Sequence, residues 1–103
     1  MVEKILEKDF DKVTGSEVAV VDFSATWCGP CKMLAPVLEE VSQEMGAVAS
    51  FFNVDVDQCP NLAMKYGIMN IPAVAVFKNG ERVNQQVGFM PKAALTDFIK
   101  GNM

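Results

Sequence analysis

Residues 18–31 have the sequence VAVVDFSATWCGPC, and the architecture of the whole chain follows from them. Residues 18–25 are apolar on both faces, which predicts a central parallel strand. Residues 31–45 carry apolar side chains at helical spacing, which predicts an amphipathic helix. Two thiols, Cys28 and Cys31, therefore stand where a strand passes into a helix. The free N–H groups and the positive dipole end of that helix stabilise a thiolate, so the pair predicts thiol–disulfide exchange.

Strand and helix signals alternate along the remaining sequence, so we predict a single α/β domain over residues 1–103. Pro36 lies inside the first long helix and predicts a kink there, and Asn79-Gly80 between two strand-like runs predicts a β-hairpin. The other predicted elements are an edge strand at 2–7, a short helix N-capped by Asp9, an inner strand at 48–56, a helical stretch at 57–67, strands at 73–77 and 81–83, and a last helix from Pro91 to Gly101. The expected fold class is a central mixed β-sheet with helices on both faces.

The predicted hydrophobic core is taken from the apolar positions of these elements. Its members are Phe23, Leu38, Val54, Val74, Val76, Phe77, Leu95 and Phe98. In the last helix we place Ala94, Leu95, Phe98 and Ile99 on one apolar face.

The composition excludes several classes of function. The net charge is −4, from 9 basic and 13 acidic residues, and the absence of a basic stripe argues against nucleic acid or an anionic membrane as partner. No apolar run approaches the roughly 18 residues that span a bilayer. Residues 1–4 show no signal-peptide pattern, so a cytoplasmic location is the default expectation. The chain has no histidine, which excludes a Cys–His nucleophile, a histidine base and any histidine-containing metal site.

The chain has 3 cysteines, and an odd number argues against a structural disulfide framework. Cys28 precedes the helix and receives its N–H groups, which lowers its pKa, so we expect Cys28 to attack a substrate disulfide. Cys31 is expected to lie deeper and to resolve the mixed disulfide. A zinc half-site is the alternative, but zinc requires four ligands and only Cys59 remains as a soft one. Cys59 is interpreted as a half-buried small apolar residue, with a regulatory or dimer-forming thiol as the alternative.

Asp22, Trp27 and Pro72 each allow two interpretations from the sequence alone. Asp22 interrupts an apolar strand and is either a buried proton acceptor for Cys31 or a solvated acid at the strand end. Trp27, the only tryptophan, either covers the site and packs against substrate or belongs to the core. The frequencies of X–Pro bonds favour a trans peptide before Pro72.

With these residues laid out, the chain resembles the thioredoxin family over essentially its whole length. The motifs that carry the resemblance are VDFSATWCGPCK at 21–32, VDVD at 54–57, YGI at 66–68, Ile71-Pro72, FKNG at 77–80 and Val87-Gly88. The resemblance implies a thioredoxin fold in which a cis Pro72 faces the dithiol and the backbone of Ile71 pairs with an extended substrate segment. It also implies that Asp22 handles the Cys31 proton. The implied docking surface, flat and apolar, consists of Trp27, Gly29, Pro30, Ile71, Pro72 and Gly88.

The resemblance further implies a general protein-disulfide reductase, active in electron transport and cell redox homeostasis. The oxidised Cys28–Cys31 pair is expected to be reduced by a thioredoxin reductase, which carries the NADPH and the flavin. The chain itself is then a monomer that needs no cofactor and no metal, and its clients are disulfide-containing proteins such as peroxidases and reductases. Three alternatives stay open: an oxidase or isomerase of the same fold, a binding module without redox turnover, and an electron donor dedicated to one client.

The chain departs from the commonest family pattern at a few positions near the dithiol. Met69 and Asn70 stand where many members have a basic residue followed by Gly or Ser, and Ala73 stands where Thr is frequent. Asn53 stands where several members have Lys, close to the buried acid. We expect Met69, joined by Met90, to make the docking rim more apolar and to weaken its electrostatic steering.

Overall fold

A five-stranded mixed β-sheet forms the centre of the structure, a computed structural model that describes residues 1–103. The strands are β1 (Val2–Ile5), β2 (Val18–Ser24), β3 (Ser50–Asp55), β4 (Ala73–Lys78) and β5 (Glu81–Val87). Their spatial order is β1-β3-β2-β4-β5. The first three strands run parallel to one another, whereas β4 and β5 pair antiparallel with their neighbours. Strand β2 is therefore central as predicted, but it is parallel to only one of its two neighbours.

Four α-helices connect and cover the strands. They are α1 (Asp11–Thr14), α2 (Gly29–Met45), α3 (Pro60–Lys65) and α4 (Lys92–Lys100), and a 3-10 turn at Glu7–Asp9 precedes α1. Helix α2 includes Pro36 and ends at Met45, with Gly46 as its C-cap, as predicted. No helix in the structure has the length and the hydropathy needed to cross a membrane.

The predicted N-cap at Asp9 is wrong. Asp9 ends the 3-10 turn, and its carboxylate accepts a hydrogen bond from the Leu6 backbone N–H at 3.1 Å. Phe10 therefore precedes α1, without a side-chain cap. Asp9 caps the 3-10 turn and not α1, because its carboxylate already accepts the free Leu6 N–H at the start of that turn.

Two apolar clusters lie on the two faces of the sheet, which confirms the predicted layered fold. Alternating residues of β2 supply both, because successive side chains of a strand point to opposite faces. Val21 and Phe23 belong to the cluster that includes residues of α1 and α3, whereas Val20 belongs to the cluster that includes α2 and α4. Asp22 shares the face of Val20, and this places its carboxylate on the side of the sheet that α2 covers.

The last helix packs along a narrower stripe than predicted. Leu95 and Ile99 are both fully buried, four residues apart on one face. Phe98 is half-buried at the margin of this cluster, and Ala94 is exposed. The sequence-based prediction that both belong to the buried face of α4 is therefore wrong. The other core predictions are confirmed as buried: Phe23, Leu38, Val54, Val74, Val76, Phe77 and Leu95.

The hairpin between β4 and β5 turns at Asn79-Gly80, as predicted. Asn79 has φ 52° and Gly80 has φ 87°, and two successive positive φ angles are the requirement of the tight turn that Asn-Gly favours. A Cβ atom on Gly80 would lie 3.1 Å from the carbonyl oxygen of Thr14, so this position is also tightly packed.

Candidate active site

The two cysteines of residues 28–31 form a disulfide at the start of α2. Cys28 is the N-cap residue, and its Sγ accepts a hydrogen bond from the Cys31 backbone N–H at 3.2 Å. Pro30 occupies the first turn of the helix, where its missing N–H leaves no helical hydrogen bond unmade. The helix start thus presents an N–H group to the Cys28 sulfur, which is the arrangement that favours a thiolate there.

The predicted difference in depth between the two cysteines is not seen, because Cys28 is 5% exposed and Cys31 is 4% exposed. Their neighbours distinguish them instead. The Cys28 Sγ lies 3.9 Å from the carbonyl oxygen of Ile71, on the loop that precedes β4. Cys31 lines a cavity beneath the helix start, together with Asp22. Both cysteines are buried because they belong to the same small apolar cluster as Ala25.

The loop opposite the dithiol holds a cis peptide bond between Ile71 and Pro72. The resemblance implied this conformation, whereas the expectation from X–Pro frequencies alone was wrong. The backbone N–H of Gly88 donates to the carbonyl oxygen of Pro72 at 2.8 Å. Gly88 has φ 101°, in the region that favours glycine. The chain segments around positions 71 and 88 are in this way held together beside Cys28.

Trp27 is exposed, at 69% of its surface, so the interpretation as a core tryptophan is wrong. Its indole N–H donates to a carboxylate oxygen of Asp57 at 2.8 Å. Asp57 lies in the loop between β3 and α3, thirty residues away in sequence, and it was not among the predicted site residues. The only sequence signal for it was its place in the VDVD motif after the inner strand.

The other predicted docking residues differ in exposure. Gly29 and Pro30 are exposed, Ile71 and Gly88 are half-buried, and Pro72 is buried. Met69 is 90% exposed, but Met90 is only 6% exposed and contributes to the core beside α4. The expected contribution of Met90 to an apolar rim is therefore wrong.

Asp22 is buried, with 1% of its surface exposed, so the interpretation as a solvated strand-end acid is wrong. Its Oδ2 accepts a hydrogen bond from the Asn53 amide at 3.3 Å, and its Oδ1 has no partner. Burial raises the pKa of Asp22 from 3.8 to about 7, and the hydrogen bond from Asn53 opposes that rise only in part. The cavity that Asp22 and Cys31 share has a volume of about 220 Å³.

Cys59 lies outside this site. It is fully buried at the start of α3, rather than half-buried as predicted, and its Sγ is 3.9 Å from the carbonyl oxygen of Ile5. Burial raises the pKa of its thiol, and the carboxylates of Glu7 and Asp55 raise it further. No cluster of three or more Cys, Asp or Glu side chains in the structure is arranged to hold a metal ion.

The family model described as Thioredoxin matches residues 1–101. The chain belongs to the thioredoxin family. A thioredoxin of Staphylococcus epidermidis is 48% identical over 98 residues, covering 95% of this chain and 94% of that protein. A thioredoxin of Staphylococcus aureus is 47% identical over the same length and coverage.

Solved thioredoxin structures have the same fold. A mutant thioredoxin of Halobacterium salinarum superimposes with a TM-score of 0.90 at 34% identity, covering 98% of this chain and 89% of that one. A thioredoxin of Malassezia sympodialis gives 0.89 at 39% identity, covering 98% and 92%. Thioredoxins are thiol–disulfide oxidoreductases with disulfide-containing client proteins. The Cys28–Cys31 pair therefore makes this chain a protein-disulfide reductase of that family.

Proposed function

We propose that Cys28 is the attacking residue of this reductase, that Cys31 is the resolving residue and that Asp22 carries the proton between steps. The single observation that supports these roles best is the different surroundings of the two sulfurs. Cys28 adjoins the Ile71 carbonyl beside exposed Trp27, whereas Cys31 lines the cavity of Asp22. The client disulfide then approaches Cys28 from the side of Ile71 and Trp27, and Asp22 lies on the side of Cys31 as its proton acceptor.

The proposed reaction has two exchanges. The Cys28 thiolate attacks one sulfur of the client disulfide, which forms a mixed disulfide and releases the other client sulfur as a thiolate that takes a proton from water. Cys31 then gives its proton to the Asp22 carboxylate and attacks the Cys28 sulfur. The Cys28–Cys31 disulfide forms, the second client sulfur leaves as a thiolate, and Asp22 returns the Cys31 proton to that sulfur through water. The client gains two electrons and two protons: both electrons and one proton come from the dithiol, and the other proton comes from water, which had received it when Cys28 formed its thiolate.

The proposed docking surface consists of Trp27, Gly29, Pro30, Ile71, Pro72 and Gly88. Exposed Gly29 supports it, because a Cβ at this position would meet no atom within 4 Å and a client backbone has room to approach. Pro72 is buried, so its part is to hold Ile71 next to the Cys28 sulfur rather than to form a broad contact. The Ile71 backbone then pairs with an extended client segment, in the manner of strand addition.

The proposed source of electrons is a thioredoxin reductase that carries NADPH and flavin, so the chain needs no cofactor of its own. We place the protein in the cytoplasm, as a monomer that serves electron transport and cell redox homeostasis. The support is its family together with its cysteine use, since one cysteine pair is redox-active and the remaining cysteine is buried without a disulfide.

The test is dithiothreitol-driven reduction of insulin disulfides. We expect the intact chain to accelerate it and both Cys28→Ser and Cys31→Ser to fall to the uncatalysed rate. Cys59→Ala is the matched control, because it removes the buried thiol outside the site and should keep the activity. A well-folded intact chain that gave no acceleration would instead favour the binding module.

Two further measurements separate the remaining alternatives. A reduction potential well above that of the cytosolic glutathione pool would favour an oxidase or isomerase over a reductase. Rates against several unrelated disulfide clients would separate a general reductase from a dedicated donor, since a dedicated donor would serve only one of them.

A further inference from the structure

Asn53 lies beside the buried acid on the neighbouring strand. The register pairs it with Asp22 across β2 and β3, and with Lys4 across β1 and β3. Its Nδ2 is 2.8 Å from the Ser24 hydroxyl oxygen, and 3.3 Å from both Oδ2 and the backbone oxygen of Asp22. An amide nitrogen has two hydrogens, so one bond to Ser24 leaves the other hydrogen for Asp22. The Asn53 amide thus ties the Asp22 carboxylate to the end of β2.

This arrangement makes the two oxygens of the Asp22 carboxylate unequal. Oδ2 is held by Asn53, whereas Oδ1 is buried and has no hydrogen-bond partner. No other side chain donates a hydrogen bond to this carboxylate, so its orientation depends on Asn53. The unpartnered Oδ1 is the oxygen free to take a proton.

The cavity next to Asp22 connects it to the resolving cysteine. Besides Asp22 and Cys31, its lining includes Asn53 and Ser24. A volume of about 220 Å³ gives room for water molecules that relay a proton between polar groups. The charged groups that also line it are Lys4 of β1, Lys32 of α2 and Asp55 of β3. On the other side, β4 pairs the apolar Val74 with Asp22.

We infer that Asn53 is a positioning residue for the proton transfer, which holds Oδ2 of Asp22 so that Oδ1 takes the Cys31 proton and later returns it. This inference rests on the proposed role of Asp22. The covalent steps stay as described above, and Asn53 neither gains nor loses a proton in them. A neutral amide stabilises the ionised carboxylate less than a charged donor would. Asp22 therefore stays able to exchange a proton near neutral pH.

The test measures the resolving step alone. Reduced protein is mixed with the aromatic disulfide 5,5′-dithiobis(2-nitrobenzoate), and release of the second thionitrobenzoate follows attack by Cys31 on the Cys28 mixed disulfide. This leaving group departs as an anion and needs no proton, so the pH profile reports deprotonation of Cys31. We expect Asn53→Leu to move the rise in rate to higher pH by roughly one unit, and Asn53→Lys to move it lower by roughly one unit.

A second readout does not depend on activity. In the oxidised protein Cys28 and Cys31 have no thiol to titrate, so a ¹³C NMR titration of the Asp22 carboxyl reports this acid. The Asp22 pKa should rise in Asn53→Leu and fall in Asn53→Lys. The matched controls are Asn84→Leu and Asn84→Lys, on exposed β5, which should move neither profile.

The outcomes separate this inference from the proposal beneath it. Asp22→Asn should abolish the rise near neutral pH and leave only the rise at higher pH, where the Cys31 thiol ionises without a partner base. A parental profile in that variant would overturn the role of Asp22 itself. A profile changed in Asp22→Asn but unmoved in Asn53→Leu would overturn the role of Asn53 alone. If Asn53→Leu does not fold, Asn53→Ala, which also removes the amide, takes its place. Asn53→Lys checks the readout, because a lysine charge lowers the Asp22 pKa whether or not the amide holds Oδ2. Shifts of the same sign in both variants would also contradict it.

Discussion

Asp22 has a large energetic cost in its ionised form, because a carboxylate on the buried face of β2 loses its hydration. Its pKa rises from 3.8 to about 7 in the folded protein. The folded state therefore holds the proton more tightly than the unfolded chain does. Between about pH 4 and about pH 7 the unfolded chain releases that proton first, so stability falls as the pH rises, and it stays reduced above this window.

Asp22→Asn should accordingly stabilise the protein at alkaline pH. We expect the free energy of unfolding to rise by roughly 2–4 kcal/mol near pH 8 and to change little near pH 4, measured by urea denaturation at both values. Asp97→Asn on exposed α4 is the control and should change stability little at either pH. A gain for Asp22→Asn of equal size at both pH values would contradict the assigned pKa.

Local sequence was sufficient to predict the dithiol and its place before a helix, because strand pattern, Cys-Gly-Pro-Cys and helix pattern are contiguous. It was not sufficient for Asp22 or Trp27. The burial of Asp22 depends on α2 covering that face, and the exposure of Trp27 goes with a hydrogen bond to Asp57 from another loop. The equal burial of Cys28 and Cys31 was likewise not predicted. Residue spacing shows which face of a helix a side chain occupies, but not how deeply that side chain is buried.

Helix α4 shows how packing is distributed within one element. Its buried stripe is Leu95 and Ile99, and Phe98 lies at the margin of the same cluster. The 3.6-residue period places 98 and 99 side by side, so the sequence does not tell which of them points at the sheet. The hairpin was better predicted, because Asn79-Gly80 specifies its turn locally.

Two truncations on α4 should therefore differ in cost. We expect Ile99→Ala to lower the free energy of unfolding by roughly 2–5 kcal/mol, because it leaves a cavity in a fully buried position. Phe98→Ala should cost less, roughly 1–2 kcal/mol, because part of the ring is already in water. Urea denaturation of both variants checks this. Equal losses would mean that Phe98 is as buried as Ile99, and no loss in Phe98→Ala would mean that α4 is docked differently.

The molecule as a whole has a net charge of −4, and Met69, which lies beside the proposed docking surface, adds no charge there. Met69 is 90% exposed two residues before Ile71, where many thioredoxins have a basic side chain. We therefore expect association with partners to depend more on apolar contact and less on long-range attraction. The sequence predicted this rim at Met69, but it also assigned Met90 to it, which tertiary packing places in the core.

Met69→Arg should restore electrostatic steering toward acidic partners. We expect kcat/KM with an acidic client or reductase to rise a few-fold at low salt, and the gain to shrink as salt screens the charge. Val48→Arg is the matched control, because Val48 is also exposed and adjoins Val18 at the far end of β2 from the dithiol. Unchanged kinetics for Met69→Arg with every partner would show that this rim does not steer association.

Cys59 gives the oxidised molecule an internal reporter of its own opening. With Cys28 and Cys31 joined, it is the only thiol in the chain, and it lies sealed between α3 and the end of β1. A small alkylating reagent reaches it only when α3 separates from the sheet or the whole chain unfolds. The rate of Cys59 labelling, measured against reagent and denaturant concentration, therefore gives the free energy or the rate of this opening under native conditions, without any engineered label.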